Sequence, residues 1–165
     1  MHYSFDSLPK TLSELQALPQ ASLKSPEDTA ALVILALAEY PDNKENSIEM
    51  LSFLKGPGGP LSEYEKQFLR DRFMDSRYIM NSYFAGSSPE NNYTPAKPYS
   101  FDINEMAHGR DQITEGYVRV SVKSSGADSE REIKLRTKAS TGEWFLHEQF
   151  LLPGIRAPKA QDPWA

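Results

Sequence analysis

The sequence contains no cysteine, and that absence excludes a disulfide framework, thiolate zinc sites, iron–sulfur clusters and cysteine nucleophiles together. It fits a reducing compartment. Histidine is nearly as scarce. His2, His108 and His147 stand far apart with no ligand spacing, so no metal site and no cofactor are expected. Long apolar runs are missing too, since the longest, Ala30 to Ala38, falls short of the roughly 20 residues a membrane span needs. The opening Met1-His2-Tyr3-Ser4-Phe5-Asp6 has neither the basic nor the apolar region of a secretory signal. The expected address is the cytoplasm, with no membrane partner. Positive charge is also in deficit. With 18 Lys and Arg against 23 Asp and Glu, the net charge is −5 and the pI is near 5.2. No nucleic-acid partner is expected, because such a role favours a basic surface that releases counterions; a local basic patch stays open.

What is present organises into two halves. A chain of 165 residues buries roughly 70% of the surface its unfolded form exposes, enough for one domain with a real core. Thr11-Leu12-Ser13-Glu14 and Ser62-Glu63-Tyr64-Glu65 have the form of capping boxes. Ser25-Pro26-Glu27-Asp28 places a cap, a proline at the first helical position and two acids at the positive end of a helix. The helix it opens, through Ala30 to Ala38, is apolar on every face and must be buried all round. Another helix opens near Asn46 and ends at Gly56-Pro57-Gly58-Gly59-Pro60. The segment before Thr11 reads as a loosely held terminus.

From Tyr99 the period changes. A short strand is expected near Tyr99 to Ile103. Val118, Val120 and Val122 alternate with Arg119, Ser121 and Lys123, then Ile133 and Leu135 with Lys134 and Arg136. Glu143 to Leu152 forms the next strand after the turn Ser140-Thr141-Gly142, with Trp144, Leu146 and Phe150 on one face. The fold class is therefore α+β: about four N-terminal helices (11–77) packed on a C-terminal antiparallel β-meander (99–152). An aromatic loop (78–98) joins them, and an extended tail (153–165) follows.

The motifs that suggest chemistry do not survive inspection, and no catalytic residue is assigned. His147-Glu148 starts like a zinc-protease motif, but Leu151 stands where the second histidine belongs, on a strand rather than a helix. Ser7-Leu8-Pro9-Lys10 lacks the companion motifs of penicillin-recognising enzymes. The two prolines of Gly56 to Pro60 remove the N–H donors that a phosphate cradle needs. Asn92-Tyr93-Thr94 fits a glycosylation acceptor, without a signal to deliver it. Asp71 and Asp75 share a face with Arg70, Arg72 and Arg77, which reads as a salt-bridged surface. Glu148 falls on the Trp144/Leu146/Phe150 face, where an inward carboxylate would need Arg136 or Arg119 as partner.

The loop is the strongest candidate for a site. Tyr83, Phe84, Glu90, Asn91, Asn92 and Tyr93 combine flat apolar surface with amides and a carboxylate, a composition suited to a sugar, peptide or protein partner. The bland alternative is that the tyrosines pin the loop to the helix–sheet junction. Arg136, Arg156 and Trp164 complete the candidate set. The tail, held extended by Pro153, Pro158 and Pro163, is expected to fold back and dock Ile155 and Trp164 on its own domain; the alternative offers Trp164 to another chain and makes an oligomer.

Several runs carry a resemblance: Leu54-Lys55-Gly56-Pro57, Pro60-Leu61-Ser62, Ser82-Tyr83-Phe84 with Gly86, Pro89 to Pro95 with Pro98-Tyr99, Ser124 to Ser129 with Arg131, Trp144-Phe145-Leu146, Gly154-Ile155-Arg156 and Asp162-Pro163-Trp164-Ala165. With these the chain resembles an uncharacterised family of small bacterial proteins, mainly of Firmicutes, carried as a domain of unknown function. The resemblance implies a complete, single-unit bacterial protein and no activity. Glu130 departs from it, at a place where proline is expected. The expected function is a non-enzymatic binding or protein-interaction module. The alternative is an enzyme whose polar site, drawn from Glu90, Asp128, Arg136 and Glu148, lies between helices and sheet.

Overall fold

A 13-residue helix without a polar face is stable in water only if other elements surround it. That requirement organises the chain. In a computed structural model, which describes residues 1–74 and 76–164, this helix, α2 (Pro26–Ala38), starts where Ser25 Oγ accepts from the N–H of Asp28 at 3.1 Å. Every residue from Ala30 to Leu37 is fully buried. Around it stand α1 (Leu12–Gln16), α3 (Lys44–Lys55), α4 (Glu63–Phe73) and the one-turn α5 (Tyr78–Asn81). Ser47 Oγ, itself buried, donates to the carbonyl of Ala36 at 2.7 Å and fixes α3 against α2. The capping boxes act as expected. Ser62 Oγ accepts from Glu65 N–H at 3.1 Å and Glu65 returns the bond to Ser62 N–H at 3.2 Å, while Thr11 Oγ1 accepts from Glu14 N–H at 3.2 Å.

The other face of α2 lies on a five-stranded antiparallel sheet of order β1 (His2–Phe5), β2 (Tyr99–Glu105), β3 (Tyr117–Val122), β4 (Arg131–Thr137), β5 (Trp144–Gln149). Val118, Val120, Val122, Ile133 and Leu135 point at the helix and are buried, as their alternation requires. The architecture is the α+β fold anticipated, with one addition. The terminus is not loose. Residues 2–5 pair with 99–102, the Met1 ammonium donates to the Ile103 carbonyl at 2.6 Å, and Tyr3 and Phe5 are buried beside Phe101. Tyr3 Oη donates to Asp28 Oδ1 at 2.7 Å, tying the strand to the start of α2. Burial of two aromatic side chains, at about 1.5–3 kcal/mol each, overrides the polar look of the segment.

The last strand corrects a second expectation. Leu135 faces Leu146, but Lys134 faces Glu148, so β5 carries an extra residue at His147. This bulge reverses the alternation. Gln149 takes the place opposite Ile133, Phe150 turns outward, and Glu148 is exposed, its carboxylate 3.6 Å from His147 Nε2. Glu148 needs no buried partner. The Asp71–Asp75 pairing anticipated on α4 lies outside the described residues; Asp71 accepts from Gln67 Nε2 at 2.8 Å. Among the described residues no helix is long and apolar enough to cross a membrane.

Candidate functional site

The 78–98 segment is where the sequence concentrates its candidates, and the structure spends most of them on packing. Tyr83 and Phe84 are buried: Tyr83 Oη donates to the Leu151 carbonyl, and Phe84 packs against Tyr99 and Phe101 at ring distances of 5.5 and 5.9 Å. Burial pushes the Tyr83 phenol well above its ordinary pKa. Tyr93, also buried, stacks on Tyr78 at 5.7 Å and donates to the Arg156 carbonyl at 2.6 Å. The reading of these three rings as an exposed binding surface is corrected, since all three are buried, although Tyr93 and Asn92 still line a groove of about 500 Å³ between the loop and the tail. Asn91 caps Ser88 and bridges Gly86 and Thr94, and Asn92 sits at φ 59°. Glu90 lies 3.7 Å from Lys159. Polar loop residues here satisfy the loop's own backbone while the aromatics anchor it.

The tail docks in part. Ile155 and Pro158 are buried, Arg156 N–H donates to the Gly126 carbonyl at 2.9 Å, and the Arg156 side chain reaches Asp128 at 2.8 Å. Trp164 does not dock. It is 93% exposed, which corrects the expectation that it folds back. Nor do the four residues of the supposed polar site converge. Glu90 and Asp128 are tied to the tail, whereas Arg136 and Glu148 lie on β4 and β5.

Two further open grooves lie along β5, away from the aromatic loop. They meet at Lys55, Leu146 and His147. The first, about 290 Å³, runs between α3, α4 and the strand over Leu37, Leu51, Leu61, Phe68 and Leu69. On its rim Tyr64 is 79% exposed. Lys55 and Glu65 pair there at 3.0 Å. Burial tends to raise the Glu65 pKa, but hydrogen bonds from Lys55 and the Ser62 N–H outweigh it and hold the carboxyl below its usual range. Beside this groove the sheet has an edge. Trp144 N–H donates outward to the Leu23 carbonyl at 2.8 Å, and Trp144 O accepts from Thr29 Oγ1 at 2.8 Å. Two residues on, Leu146 directs its backbone groups the same way, off the sheet.

The second groove, about 600 Å³, lies between the Gly56–Gly58 turn, the Ile113–Glu115 turn and the outer ends of β4 and β5. Arg136, one of the candidates from the sequence, lines it with Lys138, Ile113 and Phe145. Arg136 and Lys134 stand over the Tyr117 ring at 5.6 and 4.7 Å, and His147 meets its edge at 5.1 Å. Gly56, at φ 54°, is closed against the Phe145 ring, which leaves no room for a Cβ. Here lies the local basic patch the composition left open.

His147 has its pKa held below the ordinary value. Burial is the main cause, Glu148 opposes it, and Lys134, Lys55 and Arg136 add to it. Between that lowered value and about 6.5 the unfolded chain binds a proton that the folded chain refuses. The stability this contributes is complete above about pH 6.5 and is lost as pH falls through the folded value. We expect His147→Gln to flatten the fall in urea midpoint between neutral and mildly acidic pH. Identical pH profiles for variant and wild type would refute the assignment.

Among the described residues no group of three or more His, Cys, Asp or Glu is placed to hold a metal ion. Comparison with known proteins gives one result: residues 7–159 match a family described as Domain of unknown function (DUF6935). No curated protein and no solved structure matches the chain.

Proposed function

We propose that this chain, which belongs to that family of unknown function, is a non-enzymatic protein-interaction module of the cytoplasm that takes an extended segment of a partner along β5. The observation carrying this reading is the apolar groove beside a sheet edge where the Trp144 backbone groups bond outward, and alternation turns those of Leu146 the same way. A peptide added there would gain main-chain hydrogen bonds from the edge and specificity from alternate side chains. Its apolar side chains would enter the groove over Leu61 and Phe68, under Tyr64. The bulge at His147 ends the regular edge, so the register centres on Leu146. Nothing in the groove supplies a nucleophile with a matched base, and the exposed Tyr64 is the kind of rigid aromatic that anchors interfaces.

The test is a display library of extended peptides. The wild type should select sequences with apolar residues at alternate positions. Tyr64→Asp and Phe68→Ser, both at the groove wall, should each weaken the selected peptides at least about tenfold, as for interface anchors. Peptides that bind these variants as well as they bind the wild type would place recognition elsewhere.

A further inference from the structure

We infer that the second groove is a binding site for a small organic anion, with a carboxylate or phosphate head on Arg136 and Lys138 and an apolar body against Ile113 and Phe145. Some of the 18 bases of this acidic chain are engaged by carboxylates. Lys10, Lys55, Lys66, Arg77, Arg110, Arg119, Arg156 and Lys159 each have a carboxylate partner. Lys134, Arg136 and Lys138 have none among the described residues, although acids outnumber bases by 23 to 18. Three unpaired cations on one open sheet face repel one another, and an anion would relieve that repulsion. The field they create is already felt, because Lys134 and Arg136 help depress His147.

The geometry is suited to one kind of ligand. The Arg136 guanidinium stands 5.6 Å from the centre of the Tyr117 ring, a cation–π contact that restricts the side chain before anything binds. A guanidinium can hold two oxygens of one head group at once. Ile113, 41% exposed, and Phe145 supply apolar contact in the same lining. At about 600 Å³ the groove falls within the roughly 300–1,000 Å³ typical of small-molecule sites. Lys55 is committed to Glu65, and Glu115 offsets one of the two remaining cations of the lining. The excess fits a single head group rather than a polyphosphate or a nucleic-acid backbone.

His147 is the built-in reporter. A bound anion favours the imidazolium, so its pKa must rise on binding. We would follow the His147 ring by NMR in titrations with phenyl phosphate, phenylacetate, inorganic phosphate and phenol. The two aromatic anions should give saturable shifts and raise the His147 pKa, inorganic phosphate should bind more weakly, and phenol should do neither. Arg136→Gln should raise the His147 pKa without ligand and weaken the aromatic anions by about tenfold or more, the loss of a charged bidentate contact. A phosphoserine peptide binding tighter than phenyl phosphate would assign the head group to a partner chain, and the reverse to a free metabolite. Absence of saturable shifts, equal binding by phenol, or an Arg136→Gln variant that binds normally would overturn the site. Tyr64→Asp should leave anion binding intact, so failure of the peptide groove and failure of this site read out separately.

Discussion

Leu35→Ala should lower the free energy of unfolding by about 3 kcal/mol, seen as a lower urea midpoint with an unchanged slope. Leu35 lies in the middle of α2 with no exposed atom, on a helix that packs against the sheet and against α3 and α5. Truncation there loses the transfer energy of the side chain and leaves a cavity, because a helix packed on all sides has no free direction in which to collapse. Set against a total of about 5–15 kcal/mol for a domain, the change is severe. By contrast, Tyr64→Ala on the groove rim, where the ring is mostly exposed, should move stability by less than about 0.5 kcal/mol. A Leu35→Ala protein as stable as the wild type would mean that α2 is not the centre of the core.

The second large effect is expected at Gly126. A Cβ there would stand 2.8 Å from Cγ2 of Ile155 and closer still to the Tyr93 hydroxyl. Neither can yield, since Tyr93 is buried and bonded to the Arg156 carbonyl, and the Arg156 N–H is bonded to Gly126 itself. Gly126→Ala should therefore cost about 2–3 kcal/mol, from overpacking together with a lost hydrogen bond. It should also lift the segment around Arg156 and Lys159 and speed tryptic cleavage there. Tyr93→Phe is the control: it removes the hydroxyl without adding bulk, at a cost of about 1 kcal/mol. If Gly126→Ala changed neither the midpoint nor the cleavage rate, the tail would not be seated by this contact.

What the sequence made legible was what its periodicity encodes. The uninterrupted apolar run of α2, the caps at Ser25 and Ser62 and the alternating valines of β3 each have one physical solution, and each is found. The N-terminal strand was not legible because only two apolar residues, Tyr3 and Phe5, mark it, and their partner lies in β2. The bulge at His147 was hidden for a related reason. An inserted residue leaves the local pattern plausible, and only pairing with Lys134 and Leu135 exposes the shift. That shift sent Phe150 and Glu148 to the solvent side. Among the site candidates, composition could not separate a tyrosine that binds from one that packs, so Tyr83 and Tyr93 looked alike to either reading. Arg136 was found, but the groove around it needs residues from three distant segments.

The all-apolar helix also sets the order of events when the chain is made. Leu37 leaves the ribosome long before Leu146, the strand residue that lines the same wall. At synthesis rates of about 5–20 residues per second, that interval is on the order of 5–20 s. Through all of it the stretch Ala30 to Leu37, later without an exposed atom, has no sheet to cover it. Helices α1 and α3 are available to screen it first, and the sheet then closes from the C-terminal side. The first strand, though synthesised well before its partner β2, is completed only when residues 99–102 arrive.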